Sequence, residues 1–377
     1  MPSENPLTKT INSFFGVRNL SNDRSIPDNA LTRAVDVDID DAGIILRRQG
    51  YQYTLPISNV TSAYTTLAGD SYVVSSGVLS RIDDGLVPHA LAPSTATSFC
   101  DSGKVLFTND GLKVQNDRVT DLNLPPADNV PLTLTTAPGD WPAGTYSAVY
   151  TYSGASGLEG PAGAVASVTI AEGRVVLAAH PPQLSGYTTT VYITEADGTV
   201  FYAADDRSID PDIMSSDVFP VGGTTIAWFN SSLYVGMPQA NGSTIIGYSL
   251  PFKPHLFDWA AKYIIIPGDV RAMYGRTEGL VICTDAAILL YDGAALITLA
   301  SYGVPAGQTI APSADGATIL IWSNHGVLTF PPFTNQTEDK CSLPAGKHAA
   351  VATVVRDGIE QLIILTDGQS AAYNART

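Results

Sequence analysis

One pattern limits what this 377-residue chain can fold into: a turn, four or five apolar residues, a second short turn and a second apolar run, repeated along its length. The instances are GDSYVVSSGVLSRI from Gly69, GKVLFTNDGLKV from Gly103, and NSSLYVG from Asn230, continuing to TIIGYS. GLVICTDAAILLYDG from Gly279, GATILIWSNHGVLTF from Gly316 and GIEQLIILTDGQSAAY from Gly358 complete the series. Short apolar runs bounded by Gly, Asn, Asp and Ser are strand signals, so each instance reads as a hairpin. A hairpin cannot cover its own faces, and must stack against neighbours. Successive starts fall about 34 to 50 residues apart, apart from one long gap, which is the spacing of propeller blades. Radial stacking also protects sheet edges; a two-sheet sandwich of the same hairpins is the competing arrangement. The repeats carry no WD or kelch signature. The expected fold is all-β, a β-propeller-like array of hairpin blades.

The long gap, from Gly103 to Asn230, is roughly three blades wide. Removing one blade leaves about 85 to 90 residues, the size of a small sandwich domain. PLTLTTAPG, AGTYSAVYTYSG, AVASVTI, GRVVLAA, TTTVYITEADG and TVFYAAD read there as short strands between turns. Tyr146, Ala148, Tyr150 and Tyr152 share one parity and Ser147, Val149 and Thr151 the other, which puts a tyrosine stripe on one face of a strand. SGASGLEGPAG, Ser153 to Gly163, reads as a glycine-rich loop, and TEADGT as a hairpin turn. The expected organisation is an N-terminal arm over 1–33, the first part of a propeller-like domain over 34–128, an immunoglobulin- or fibronectin III-like insert over 129–218, and the second part of the propeller-like domain over 219–377.

AVDVDIDDAGIILRRQGY, Ala34 to Tyr51, looks like a calcium loop but fails its geometry. Counting from Asp36, the glycine position is Asp41 and the bidentate-glutamate position is Arg47. Val35, Val37 and Ile39 alternate with Asp36, Asp38 and Asp40, the period of a half-buried strand, and Asp41-Ala42-Gly43 supplies a turn. A hairpin is expected, with Arg47 and Arg48 paired to its aspartates.

With 36 acidic against 20 basic side chains the net charge is −16. Such a chain has no global attraction for nucleic acid or anionic membranes, which need clustered Lys and Arg. Cys100, Cys283 and Cys341 lie far apart without a CxxC pair, which fits a protein made in a reducing cytoplasm. MPSENPLTKTINSFFGVRN has no apolar core of a signal peptide, and no run of about 18 apolar residues predicts a membrane anchor.

The search for chemistry yields little. His89, His180, His255, His325 and His348 stand singly, and none belongs to a GxSxG or HExxH motif. No GxxxxGK[ST] loop opens a helix. SADGATILIW, Ser313 to Trp322, is similar to the aspartate box of sialidase propellers, but its tryptophan is displaced and Asp-Gly makes ordinary turns. No catalytic, cofactor-binding or metal residue is therefore nominated, no cofactor is expected, and the chain reads as a scaffold or binding module.

FFGVRNLSNDRSIPDNALTRAVDVDIDDAGIILRRQGY resembles the N-terminal segment of a family of tailed-bacteriophage virion proteins. WPAGTYSAVYTYSGASGLEGPAG and IAWFNSSLYVGMPQANGSTIIGYSLPFKPHLFD resemble later stretches of the same family, in the same order. The resemblance implies a structural tail component of a short-tailed phage, of the tail nozzle or packaged-DNA stabilisation type. Such a protein forms a homo-oligomeric ring, commonly a hexamer, that closes or extends the channel below the portal and adaptor. It implies as partners the chain itself, adaptor and portal-proximal tail proteins, and tail fibres or spikes. DNA would pass through the channel without sequence-specific binding, helped by acidic walls that repel its backbone. The implied location is the virion, after synthesis in the host cytoplasm. A reading from another class is a glycan-binding or glycan-cleaving propeller, with Trp141, Trp228, Trp259 and Trp322 stacking on sugars. Against it, Trp228 and Trp322 lie in apolar runs typical of cores.

Overall fold

The computed structural model describes residues 57–127, 132–179, 181, 183–337, 345–356, 359–367 and 369–374, preceded by two short strands, Val37–Ile39 and Ile45–Arg47. Those two strands pair antiparallel, with Val37 opposite Arg47 and Asp38 opposite Leu46. The aspartate-rich run is thus one arm of a hairpin, as its period requires. The side chains of Asp38 and Arg47, whose pairing across the hairpin is expected, lie outside what is described. Asp36, Asp40 and Arg48 lie outside the described residues.

The chain is all-β and built of small antiparallel sheets; the α-helix among the described residues is the four-residue Pro211–Met214. It divides into two compact units. The first spans Ile57–Ile282 with Leu290–Leu296, and the second includes Cys283–Leu289 and Ile297 onward. In the first unit, Val60–Thr65, Ser71–Ser75, Val78–Ile82 and Pro88–Pro93 form a four-stranded sheet in chain order. Phe99–Asp101, Leu106–Thr108, Leu112–Gln115 and Arg118–Asp121 form the next. After the insert come Thr225–Phe229, Ser232–Pro238 and Ser243–Leu250, the last pairing with both Lys253–Phe257 and Tyr263–Pro267. Val270–Arg276, Gly279–Thr284, Ile288–Tyr291 and Leu296–Ala300, which include residues of both units, form a further sheet in chain order. In the second unit, Ile310–Pro312, Ile319–Ser323, Gly326–Phe330 and Thr334–Asn335 make one sheet. His348–Arg356, Ile359–Thr366 and Gln369–Asn374 make another, with Ala306–Gln308 added parallel to its first strand. All six sequence hairpins are adjacent strand pairs in these blade-like sheets.

The first strands of the first unit run in one direction. Ser62 Oγ donates to the Ala96 carbonyl, while Tyr64 OH reaches Asp101 Oδ2 at 2.7 Å. Ile226 N–H donates to Ser98 Oγ, and Gly275 lies against Trp228. Starts thus lie beside starts and ends beside ends, which successive blades of a propeller-like array require. Apolar faces fill the gaps between sheets. Tyr72, Val74, Leu79, Phe99 and Leu106 share one core, and Phe107, Leu122, Phe219, Ile226 and Leu233 the next.

Three of the hairpins share one turn device. Thr108, Thr284 and Ser323 stand where the second strand ends, each with no exposed surface. Thr108 Oγ1 accepts from Leu112 N, Thr284 Oγ1 from Ala286 and Ala287 N, and Ser323 Oγ from His325 N while donating to the Gly326 carbonyl. A short hydroxyl at that point satisfies turn amides that the ladder leaves over.

Within the gap, Leu134–Trp141 pairs with Arg174–Ala178, while Ala166–Ile170, Gly144–Ser153, Thr188–Thr194 and Phe201–Tyr202 form a four-stranded sheet in that order. Leu134 and Ala178 of the small sheet pack on Ala148, Tyr150 and Tyr152 of the large one. This is the B–E and C′–C–F–G arrangement of the immunoglobulin-like sandwich class. The tyrosine stripe is its inner face: Tyr146, Tyr150 and Tyr152 are all buried.

Candidate functional site

The opposite parity of that strand faces a cluster of buried polar groups. Val149 and Thr151 have no exposed surface, although an isolated sandwich would show this face to water. Val149 packs with Tyr192, Ile209 and Ile213 against Leu256, which belongs to the strand Lys253–Phe257 of the neighbouring blade. The insert is therefore fused to that blade along one face.

Glu159 lies at the centre of this junction, 9% exposed. It comes from the glycine-rich loop, which is pinned by Gly154 N–H on the Leu158 carbonyl, Gly160 N–H on Tyr152 and Gly163 N–H on Tyr150. Leu158 packs against the core of Phe107, Phe219 and Phe257. That anchor turns the Glu159 carboxylate inward. Its Oε1 accepts from Thr151 Oγ1 and from Tyr192 OH at 2.7 Å; its Oε2 accepts from Arg207 Nη1 at 3.3 Å. The Arg207 guanidinium also stands 5.6 Å from the Tyr192 ring centroid. Burial, followed by the hydrogen bond to Glu159, raises the Tyr192 pKa well above the ordinary phenol value.

His255 completes the junction from the blade side. Its ring hydrogen-bonds the Glu159 backbone, and burial pushes its pKa down to about 4. Two residues earlier, Lys253 Nζ bridges Asp210 Oδ2 at 2.5 Å and Asp212 Oδ2 at 2.6 Å. Burial disfavours the Lys253 charge, but the bonds to both carboxylates outweigh it and its pKa is raised. The bond from Lys253 holds the Asp210 carboxyl below its usual range. Asp210 also caps Pro211–Met214 by accepting from Asp212 N, which fixes both carboxylates at a helix start.

Chemically these groups are locked in their resting states. Near neutral pH Tyr192 keeps its proton and His255 stays neutral. A phenol raised so far is no base, and a histidine at about 4 is a poor proton acceptor there. The arrangement fastens one module to another.

The remaining sequence candidates lie apart. His89 Nε2 is 2.7 Å from Asp83 at an exposed turn, the His325 ring packs 4.3 Å from the Tyr302 ring, and His348 Nδ1 is 3.4 Å from Asp367. His180 and Cys341 fall outside the described residues, and Cys100 and Cys283 are buried free thiols raised by burial, Cys283 to about 12. Among the described residues no three His, Cys, Asp or Glu gather as a metal site. Ser313 and Asp315 form a turn, with Asp315 accepting from Ala317 N, as expected of an Asp-Gly hairpin. Trp322 is 1% exposed and donates its indole N–H to Ala345; Trp228 stacks on Phe107, Trp259 on Phe257, and Trp141 packs on Tyr146. No helix among the described residues is long and apolar enough to cross a membrane.

Sequence reasoning does not nominate Glu159, Tyr192, Arg207 or His255. The available signal is a single acid in an otherwise small and apolar loop, SGASGLEGPAG. His255 reads there as a lone surface histidine, but the PFKPHLF run forms a buried strand.

No family model matches the chain, and no curated protein matches it. Solved structures are similar at low identity. The extracellular domain of a protein described as a hybrid two component system (BT4673), from B. thetaiotaomicron, is 12% identical over 86% of this chain, with a TM-score of 0.34. The chain covers 39% of that structure's length. Kluyveromyces lactis Hsv2 is 7% identical over 81% of this chain and 90% of its own, with a TM-score of 0.33. The RRP9 WD40 repeats are 11% identical over 72% of this chain and 88% of their own, with a TM-score of 0.25.

Proposed function

We propose that this chain is a structural component of a bacteriophage tail, a ring-forming nozzle or channel protein below the portal and adaptor that retains and conducts the genome. The observation that carries the reading is the Glu159 junction. A buried polar network fastens the sandwich to a blade, which suits a scaffold that must hold its shape under force. The ordered resemblance of three long sequence stretches to tail proteins supplies the kind of scaffold. The net charge of −16 suits a wall along which a phosphate backbone slides without sticking.

The glycan-binding reading has the tryptophans against it, because their rings pack on internal aromatics or lie buried. Quantitative mass spectrometry of purified particles decides between the two. Near six copies per portal ring is the expected result. Absence of the chain from particles overturns the tail reading, and binding on a glycan panel then becomes the next measurement.

A further inference from the structure

Ten non-glycine residues among those described have left-handed φ, and eight of them are Asn, Asp or Ser, the types whose short polar side chains tolerate it. The two exceptions are Leu86, at φ 61°, and Phe252, at φ 60°. Both are exposed, Leu86 by 46% and Phe252 by 79%. A large apolar residue in that conformation is costly twice, in backbone strain and in bare hydrophobic surface.

The two share a place in the architecture. Leu86 joins the third and fourth strands of its sheet, and Phe252 follows the third strand of its own. In an antiparallel meander these turns lie at the same end as those joining first and second strands. The first strands of the unit run in one direction, so these ends align from blade to blade. Leu67, Val87 and Leu296 stand at the same end, 57%, 50% and 41% exposed. The second-to-third turns, at the other end, contain Ser76-Gly77, Asp110-Gly111 and Ala240 to Gly242. Val60 and Val221 are the exposed large apolar residues there.

We infer that this end of the first unit is a docking face for another protein, one that presents an apolar patch edged with lysine or arginine. Charge selects that occupant. Asp70, Asp83, Asp84, Asp117, Glu278 and Asp292 lie in or beside the same turns. Of the cations in these turns among the described residues, Arg81 is paired with Asp117, Arg276 with Glu278 and Lys253 with Asp210 and Asp212; Lys104 and Arg118 also stand there. A second copy presenting this same face would bring the same carboxylates against it, which opposes that pairing. This face is read from the turns alone and stands apart from the tail reading.

The test compares the whole protein with Leu86→Asn/Phe252→Asn. Asparagine tolerates left-handed φ, so the double variant should melt at the same temperature as the parent or higher. The probes are two synthetic amphipathic helical peptides, one of Leu and Lys and one of Leu and Glu, followed by fluorescence anisotropy at low and high salt. The parent should bind the Leu/Lys peptide more tightly at low salt and the Leu/Glu peptide weakly. The double variant should lose at least tenfold in Leu/Lys affinity, while Val221→Ser should not. Equal binding by parent and double variant, or no binding by the parent, overturns the inference. So does sedimentation velocity showing a parent dimer that the double variant lacks, since a second copy would then be the occupant.

Discussion

Gly275 lies against the carbonyl oxygen of Trp228, with no room between them for a Cβ. The contact joins the first strands of two successive blades, and it is backbone against backbone, so no side chain can rotate away. Gly275→Ala should therefore force the strands apart, destabilising the fold by about 1–3 kcal/mol, the usual cost of overpacking. The urea midpoint checks this. Gly242 has nothing near it, but its positive φ gives alanine a strain cost of its own, so the clean control is a surface substitution such as Lys104→Ala.

The Glu159 junction predicts a graded series. Glu159→Gln keeps an acceptor for Thr151 or Tyr192 but removes the charge, whereas Glu159→Ala leaves both hydroxyls facing a cavity. The loss should be about 1 kcal/mol for glutamine and about 3 kcal/mol for alanine, from unsatisfied buried donors. Arg207→Ala should cost under about 1 kcal/mol, because its side chain is 52% exposed and water screens the pair. Equal effects of Arg207→Ala and Glu159→Ala in chemical denaturation would contradict this ranking. Hydrogen exchange should localise the Glu159→Ala defect to 153–163 and the strand Lys253–Phe257.

Why is the junction hidden in the sequence while the blades are not? Each hairpin declares itself locally, since Thr108-Asn109-Asp110-Gly111 carries its own turn and its own hydroxyl. The insert shows as a spacing anomaly, and Tyr146, Tyr150 and Tyr152 mark its inner face by parity. Glu159, in contrast, takes its partners from 151, 192, 207 and 255, and no local period links those positions. Val149 and Thr151 look like an outward face because alternation reports which residues share a side, not what covers it. The fifth strand of the third blade, Tyr263–Pro267, is equally silent: its YIIIP run pairs back to Ser243–Leu250 over an intervening strand.

The buried turn hydroxyls predict a site-specific cost at equal volume. Thr284→Val keeps the shape of the side chain but strands the amides of Ala286 and Ala287, both of which donate to Oγ1. Thr284 is fully buried, but Ala286 is exposed and Ala287 half-buried, so water recovers part of the loss and about 1 kcal/mol should be lost. Thr65→Val is the contrast, because its hydroxyl meets only the exposed Ser71 hydroxyl, and its effect should be within about 0.5 kcal/mol. A thermal shift for Thr284→Val no larger than for Thr65→Val would show that the turn closes without its hydroxyl.

His255 sets the acid limit of the junction. Its pKa is about 4 in the fold against an ordinary 6.5, because burial disfavours the cation and the Lys253 charge adds to that effect. The unfolded chain therefore takes up a proton as pH falls through about 6.5, while the folded chain waits until about 4. Stability should fall across that window by up to about 3 kcal/mol, because each pH unit between the two values is worth about 1.36 kcal/mol. Asp210 acts in the same direction but lower, since its depressed pKa stabilises the fold above the ordinary carboxylate range and is lost only as pH falls through the folded value. His255→Gln should remove the slope between pH 6.5 and 4 and leave the lower, Asp210-dependent loss in place. Asp210→Asn should do the reverse. Denaturant midpoints of the three proteins measured from about pH 7.5 to about 2 separate the two groups. A His255→Gln profile that still falls between 6.5 and 4 would move the acid sensitivity away from this junction.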